Sequence, residues 1–283
     1  MGGDYSLEDL DKALEEVGIK QGDVVSLQVS LGRLGLIKNI PANMKSFSIG
    51  VIETFLSVLG KQGTLIVPTY TYSLGKKEIF DPETTPSAIG EFTEIFRKYP
   101  SVIRSRDPMM SHAAIGSRAN ELIIGISKDC YGKGSVFDKL KKSNAKICMM
   151  GIGLHWATFR HHIEAMANVP FRFNRVFNGL IREDGKLSEE KWLYFAAPKG
   201  IRNCQPNGLP LEQIATNKGI IQKAFLGRGA IMVVEAQRYF ELGKEELKKN
   251  PWLSAEGPPI DIKKGLIEKE YNLSINVHSK NNH

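Results

Sequence analysis

No apolar run in the sequence exceeds about eight residues, and the longest lies around Ile147 to Leu154. A membrane-crossing helix needs roughly 20, so no membrane span is expected. A basic segment running into an apolar one, the mark of a secretory signal, is also missing. Cysteine is scarce: Cys130, Cys148 and Cys204 stand far apart, with no Cys-x-x-Cys pair. That excludes a zinc ribbon and a thioredoxin-type motif. Three scattered cysteines without a signal point to reduced thiols and a cytoplasmic location. Neither a Gly-x-Gly-x-x-Gly turn nor a Walker loop occurs, so the common dinucleotide and P-loop sites are unsupported. No Gly-x-Ser-x-Gly elbow suggests a hydrolase. His155, His161, His162 and Glu164 stand close in sequence, but they lack the His-Glu-x-x-His spacing, and no metal is expected.

What is present is an ordinary globular composition. The chain has 283 residues, 42% hydrophobic and 24% charged. Its net charge is +7, from 38 basic and 31 acidic residues. The basic residues are dispersed in pairs such as Lys141-Lys142 and Lys248-Lys249, with no aromatic interleaving, so a nucleic-acid polymer is not the expected partner. Small polyanions such as cofactors or nucleotide sugars suit the surplus better.

Hydrophobic spacing predicts helices over 6–17, 47–59, 89–98, 119–125, 135–142, 158–168 and 211–217, and around 230–247. Short apolar runs predict strands over 24–29, 64–68 and 146–150. Residues 71–86 lack periodicity and read as a long loop. Segments 171–181 and 192–197 flank the turn Glu183-Asp184-Gly185 and read as an antiparallel hairpin. Strand–helix alternation argues for an α/β protein. One domain is expected over 1–272, with a β excursion at about 171–198 and a polar tail at 273–283.

Three segments carry chemistry. In the first, Gly151-Ile152-Gly153 ends a buried strand, and a helix follows that holds His161 and Glu164. Three residues apart, these two share a helix face. A carboxylate beside an imidazole raises its basicity and fixes its tautomer, which suits a base that deprotonates an amine. Taken alone, the pair also fits a solvated surface contact. In the second segment, Arg104, Ser105 and Arg106 precede Ser111, and arginines clamp phosphates bidentately. A solvated loop is the alternative. In the third, Val24 to Val29 runs into a Ser/Gly turn at Ser30.

Taken in order, these segments resemble the aminoglycoside 3-N-acetyltransferase family. The resemblance rests on Ser30 to Gly35, Gly63 to Thr69, Phe80-Asp81-Pro82 with Pro86-Ser87, Arg104 to Ser111, and Thr158-x-x-His161-x-x-Glu164. It covers about residues 5–250. It implies a three-layer αβα fold with a central mixed sheet, and a coenzyme A–dependent N-acyltransferase. Acyl-coenzyme A would be the co-substrate and small molecules the partners; a homo-oligomer is left open. It further implies His161, Glu164 and Thr158 as catalytic residues, His161 taking the amine proton and Thr158 facing the thioester oxyanion. Ser30, Leu31, Gly32, Arg104, Ser105 and Ser111 would hold the pantetheine arm and phosphates. Tyr70, Tyr72, Phe171 and Arg172 would border the acceptor. Where the antibiotic-modifying members carry histidine, this chain has Gln28, Asp107 and Met110. With the positive net charge, that directs the expected acceptor to a nucleotide-linked amino-dideoxy sugar of surface-polysaccharide (lipopolysaccharide-type) biosynthesis, acylated from acetyl- or 3-hydroxybutyryl-CoA. The alternatives are an aminoglycoside acceptor or a catalytically silent binder.

Overall fold

The computed structural model describes residues 3–261. Met1 with Gly2 and the expected polar tail lie outside the described residues. Nine strands are found among them: β1 (Val24–Val29), β2 (Thr64–Pro68), β3 (Ile103–Arg104), β4 (His112–Gly116), β5 (Lys146–Met150), β6 (Phe173–Glu183), β7 (Lys186–Ala196), β8 (Gln222–Leu226) and β9 (Gly229–Glu235). The helices are α1 (Leu7–Glu16), α2 (Met44–Leu59), α3 (Ser73–Lys76), α4 (Glu91–Arg97), α5 (Ala119–Ile123), α6 (Val136–Lys142), α7 (Arg160–Ala167), α8 (Leu209–Asn217) and α9 (Ala236–Lys249).

Seven strands form one mixed sheet in the order β3-β4-β2-β1-β5-β9-β8. β1 runs parallel to both β2 and β5, and the other pairings are antiparallel. Alternation along the strands separates two cores. Val25, Leu27, Leu65, Val67, Cys148 and Met150 face the side covered by α1, α2 and α4. Val24, Ile66, Ile147 and Met149 face the side covered by α5 to α9. Side chains of a strand alternate between faces, so a sheet buried on both sides must be apolar at nearly every position. The result is the expected three-layer αβα arrangement.

The chain leaves β1 through α2 to reach β2 on one side, and returns much later to place β5 on the other. In open α/β sheets, ligands bind beyond the carboxyl ends of strands at such a reversal. Gly151 lets the ends of β1 and β5 close up there. Its φ is 74°, and a Cβ would stand 2.5 Å from the Ser30 carbonyl oxygen.

The hairpin β6–β7 turns through Asp184-Gly185, both at positive φ, as a two-residue turn favours. It folds back on the domain: the Leu180 carbonyl accepts the Phe80 amide at 3.0 Å, and the Leu193 carbonyl accepts the Cys130 amide at 2.9 Å.

Some expectations are corrected. Residues 230–247 are not one helix: Ile231 to Val234 pair with β5 before α9 begins at Ala236. Their apolar alternation spans the two cores, and sheet pairing overrides the helical spacing. The helix expected over 89–98 is shorter: α4 runs Glu91–Arg97 after Gly90, and the Ser87 amide ahead of it donates to Glu94 at 2.8 Å. Segment 71–86 contains the short α3.

Candidate active site

The segment after β5 passes through Gly151 and a 3-10 turn, Leu154–Trp156, before α7 starts at Arg160. On α7 the His161 Nδ1 lies 2.8 Å from Glu164 Oε2. Glu164 is fully buried, yet three cationic or donor groups surround it. Arg172 Nε stands 2.7 Å from Oε2, and Arg160 Nη1 bonds Oε1. These charges hold the carboxylate well below the usual range against the opposing pull of burial. An ionised Glu164 requires the proton of His161 to sit on Nδ1, which leaves Nε2 as the basic lone pair. Arg172 Nη2 also comes within 3.0 Å of Nδ1. With the proton on Nδ1 that contact is repulsive, and it opposes imidazolium formation.

His161 therefore titrates low. Burial pushes it down to about 4, with Arg172 adding to the fall and Glu164 opposing it. Its side chain keeps 18% of its surface open. That open edge meets a cavity of about 710 Å³ lined also by Arg172, Phe173, Arg175, Phe177 and Tyr194.

A second cavity, about 530 Å³, lies beyond the carboxyl ends of β1 and β2 and is lined by Gln28, Ser30, Arg33, Tyr70, Trp156 and Thr158. Thr158 is three residues before His161, so the start of α7 carries one lining residue of each cavity. Gln28 orients Thr158: its Oε1 accepts the Thr158 amide at 3.0 Å, and its Nε2 approaches Oγ1 at 3.4 Å. With Oγ1 accepting, its own proton is left to donate elsewhere. Two tyrosines stand together beside His161. Tyr131 meets the His161 ring edge-on at 5.6 Å, and its hydroxyl donates to that of Tyr194 at 3.2 Å.

Several expected site residues are placed elsewhere. Ser105 and Ser111 are buried, and neither lines the two cavities above. Ser105 Oγ accepts the His112 amide at 2.9 Å, and Ser111 Oγ donates to the Thr69 carbonyl at 2.7 Å. Arg104 spends its fork on the Thr69 and Thr85 carbonyls, at 2.6 and 2.5 Å. This trio ties the segment after β2 to β4. Phe171 is core, packed on Trp252 at 5.5 Å, and lines neither of these two cavities. Arg172 does line the His161 cavity, but its Nε serves Glu164. Tyr70 and Tyr72 line the Thr158 cavity rather than the His161 cavity. Ser30 opens onto the same cavity; Gly32 is exposed beside it, and the Leu31 side chain is core.

Sequence reasoning missed the work of Arg160, Gln28, Tyr131 and Tyr194. Arg160 precedes Glu164 by four, a spacing that would have signalled the pair. Asp107 and Met110 are buried, and Asp107 Oδ1 accepts the Met109 and Met110 amides at 2.8 Å. Their departure from histidine therefore alters a buried turn. Among the described residues, no group of three or more His, Cys, Asp or Glu is placed to hold a metal, and no helix is long and apolar enough to cross a membrane.

Comparison with known proteins adds to the geometry. The family model described as aminoglycoside 3-N-acetyltransferase matches residues 8–248. Aminoglycoside N(3)-acetyltransferase IV of Salmonella sp is 28% identical over 178 residues, which are 61% of this chain and 66% of that protein. Aminoglycoside N(3)-acetyltransferase IX of Micromonospora chalcea is 26% identical over 188 residues, 59% of this chain and 64% of that protein. The chain thus spans just under two thirds of the length of these relatives. Among solved structures, AAC-IIIb in a binary complex with CoASH superposes with a TM-score of 0.76 at 19% identity, over 90% of this chain and 99% of that one. Aminoglycoside acetyltransferase AAC(3)-IVa, as apoenzyme, gives 0.72 at 23% identity, over 90% and 92%. At such identities these likenesses speak for the fold.

Proposed function

Since the chain belongs to the aminoglycoside 3-N-acetyltransferase family, we propose that it moves an acetyl group from acetyl-coenzyme A to the 3-amino group of an aminoglycoside. The expected nucleotide-linked amino sugar is corrected by the family model and by relatives named as aminoglycoside N(3)-acetyltransferases. Two of the residues that pointed to it, Asp107 and Met110, are buried and hold a turn, and net charge does not locate charge.

The observation that carries the reading is the His161–Glu164 pair, 2.8 Å apart, with His161 lining one cavity and Thr158, three residues earlier, lining another. In this reading, acetyl-coenzyme A enters the crevice beyond β1 and β2, with Ser30 and the turn after it along the pantetheine arm. The aminoglycoside enters the His161 cavity. Its ammonium must lose a proton before nitrogen can attack the thioester carbonyl. The field of Arg160 and Arg172 that keeps His161 neutral also acidifies a bound ammonium. Nε2 then takes the proton directly or through a water. Thr158 Oγ donates to the oxyanion of the tetrahedral intermediate. As the intermediate collapses and the carbon–sulfur bond breaks, the nitrogen sheds its second proton; of the two protons lost from nitrogen, one is delivered through His161 to the departing thiolate and the other passes to solvent, leaving a neutral amide and free thiol. Glu164 stays ionised throughout and steadies the transient imidazolium.

Release of free coenzyme A thiol, followed with sisomicin or a gentamicin as acceptor, tests this reading. Acceptor-dependent release and a singly acetylated product at the 3-amino group are expected. Absence of acceptor-dependent release across an aminoglycoside panel would refute it.

A further inference from the structure

We propose a second activity for the same centre: acetylation of an aromatic amine that carries a carboxylate, with Arg175 taking the carboxylate and Phe173, Phe177 and Tyr194 enclosing the ring. It rests on reading the His161 cavity as the acceptor site.

The lining of that cavity selects the charge. Its cations are Arg172, Arg175 and Lys199, and no aspartate or glutamate lines it among the described residues. Glu164 is fully buried, and its charge is spent on Arg160, His161 and Arg172. A space walled by cations favours an anion and resists a polycation. Arg175 is the cation placed to serve a ligand. It is exposed, its guanidinium lies 4.7 Å from the centre of the Phe177 ring, and no carboxylate pairs with it among the described residues.

The hairpin sets aromatic rings around that guanidinium. Phe173, Arg175 and Phe177 alternate along β6 and so share one face. Arg175 stands opposite Tyr194 of β7, and the Phe177 and Tyr194 rings meet edge-on at 6.0 Å. The Tyr194 hydroxyl accepts from Tyr131 at 3.2 Å, which leaves its own proton for a ligand. Aromatic walls take a flat ring, and a free guanidinium among them takes a carboxylate.

The base suits such an acceptor. An aromatic amine is neutral at physiological pH, so no proton has to leave before nitrogen attacks. Nitrogen bonds to the thioester carbon, the carbon–sulfur bond breaks, and one proton passes from nitrogen through His161 Nε2 to the departing thiolate. The products are an N-acetyl arylamine and free coenzyme A thiol. A weakly basic imidazole suffices, because nitrogen becomes strongly acidic once it has attacked, and burial holds His161 down at about 4.

Three acceptors separate the possibilities: para-aminobenzoate, its uncharged match para-aminobenzamide, and sisomicin. Thiol release from acetyl-CoA is followed with each, and the N-acetyl product is identified by mass. Para-aminobenzoate should be acetylated with a KM about tenfold below that of the amide, the size of one charge-assisted contact. Arg175→Ala should bring the two KM values together by raising that of para-aminobenzoate, and Arg175→Lys, which keeps the charge without the fork, should fall between. Turnover of sisomicin with neither aromatic amine accepted would overturn the second activity and leave the aminoglycoside reading standing. A KM gap that survives Arg175→Ala would overturn the carboxylate seat. Turnover of the aromatic amines without sisomicin would support the second activity and refute the aminoglycoside reading. Release with none of the three would remove the His161 cavity as an acceptor site, and the second activity with it.

Discussion

Two histidine–glutamate pairs among the described residues have the same contact distance and different surroundings. His161 Nδ1 and His155 Nδ1 each lie 2.8 Å from a glutamate Oε2. Glu164 is sealed from solvent and caged by Arg160 and Arg172, whereas the Glu212 side chain is 16% exposed and takes the His155 backbone amide as its other close donor. The first pair has its charges set against one another in a dry place, where fields are strong. The second is a hydrogen-bonded strut that fixes a turn. A contact distance therefore does not distinguish a base from a brace; burial and the neighbouring charges do.

The sharpest way to break the comparison is to remove each histidine. General bases contribute about 10²–10⁴-fold, so His161→Ala should lower kcat by that factor with acetyl-CoA affinity within a few fold of wild type. His155→Ala, which removes only a strut to Glu212, should leave kcat within a few fold of wild type. A His161→Ala enzyme that turns over within a few fold of wild type at its optimal pH would remove the base and the contrast together.

Replacing each glutamate by glutamine tests the same contrast in stability. Glu164→Gln leaves two buried guanidinium groups without their countercharge, and breaking a buried pair costs about 3–5 kcal/mol. Glu212→Gln touches a half-open contact, where about 1 kcal/mol or less is expected. Denaturant titration of both variants reads the difference; comparable losses would mean that the cage around Glu164 is not electrostatically special.

How far this contrast can be read without coordinates depends on which physics is local. β1, β2 and β5 coincide with the expected strands because apolar runs bounded by Gly and Asp need no knowledge of distant neighbours. β4 escapes the sequence reading, since Ala113 and Ala114 are too small to signal a strand and become one only between β2 and β3. β9 reads as helix in the sequence because Ile231 to Val234 run into α9 without a turn residue between them. In the site, the spacing of His161 and Glu164 is local and legible. The closing of Arg172 onto Glu164 depends on how the chain returns after α7, which no spacing encodes. Arg104, Ser105 and Ser111 mislead for the same reason: residue types that bind phosphate also satisfy backbone carbonyls and amides, and only burial tells these uses apart.

A pH profile sharpens the cage argument. His161 is pushed below its ordinary value by burial first and Arg172 second, with Glu164 acting the other way. The basic form is thus present at neutral pH and is lost only as pH falls well below the ordinary histidine value. Arg172→Met removes a positive charge that opposes imidazolium formation, so the His161 pKa must rise. The acid limb of kcat against pH should move upward by about one unit, while Arg160 keeps Glu164 paired. An unmoved limb would show that Arg172 does not act on His161 through its charge.

The smallest effect concerns the mouth of the acceptor cavity. Arg175 lines it, exposed, with its guanidinium 4.7 Å above the Phe177 ring. An aminoglycoside is a polycation, and its approach meets like charge there, unlike at Arg172, which Glu164 compensates. Exposed charge contacts are worth about 0.2–1 kcal/mol, which corresponds to roughly 1.4- to 5-fold in KM. Wild-type KM for sisomicin should therefore fall as salt screens the repulsion over a Debye length of about 10 Å at 0.1 M. Arg175→Glu reverses the sign: KM should drop at low salt by a few fold and then rise with ionic strength. Since Arg175 is distant in role from the proton transfer, kcat should hold in both cases. A wild-type KM indifferent to salt, or an Arg175→Glu enzyme with an unchanged salt slope, would place the acceptor's charged amines away from this rim and confine the electrostatics of acceptor binding to the caged pair.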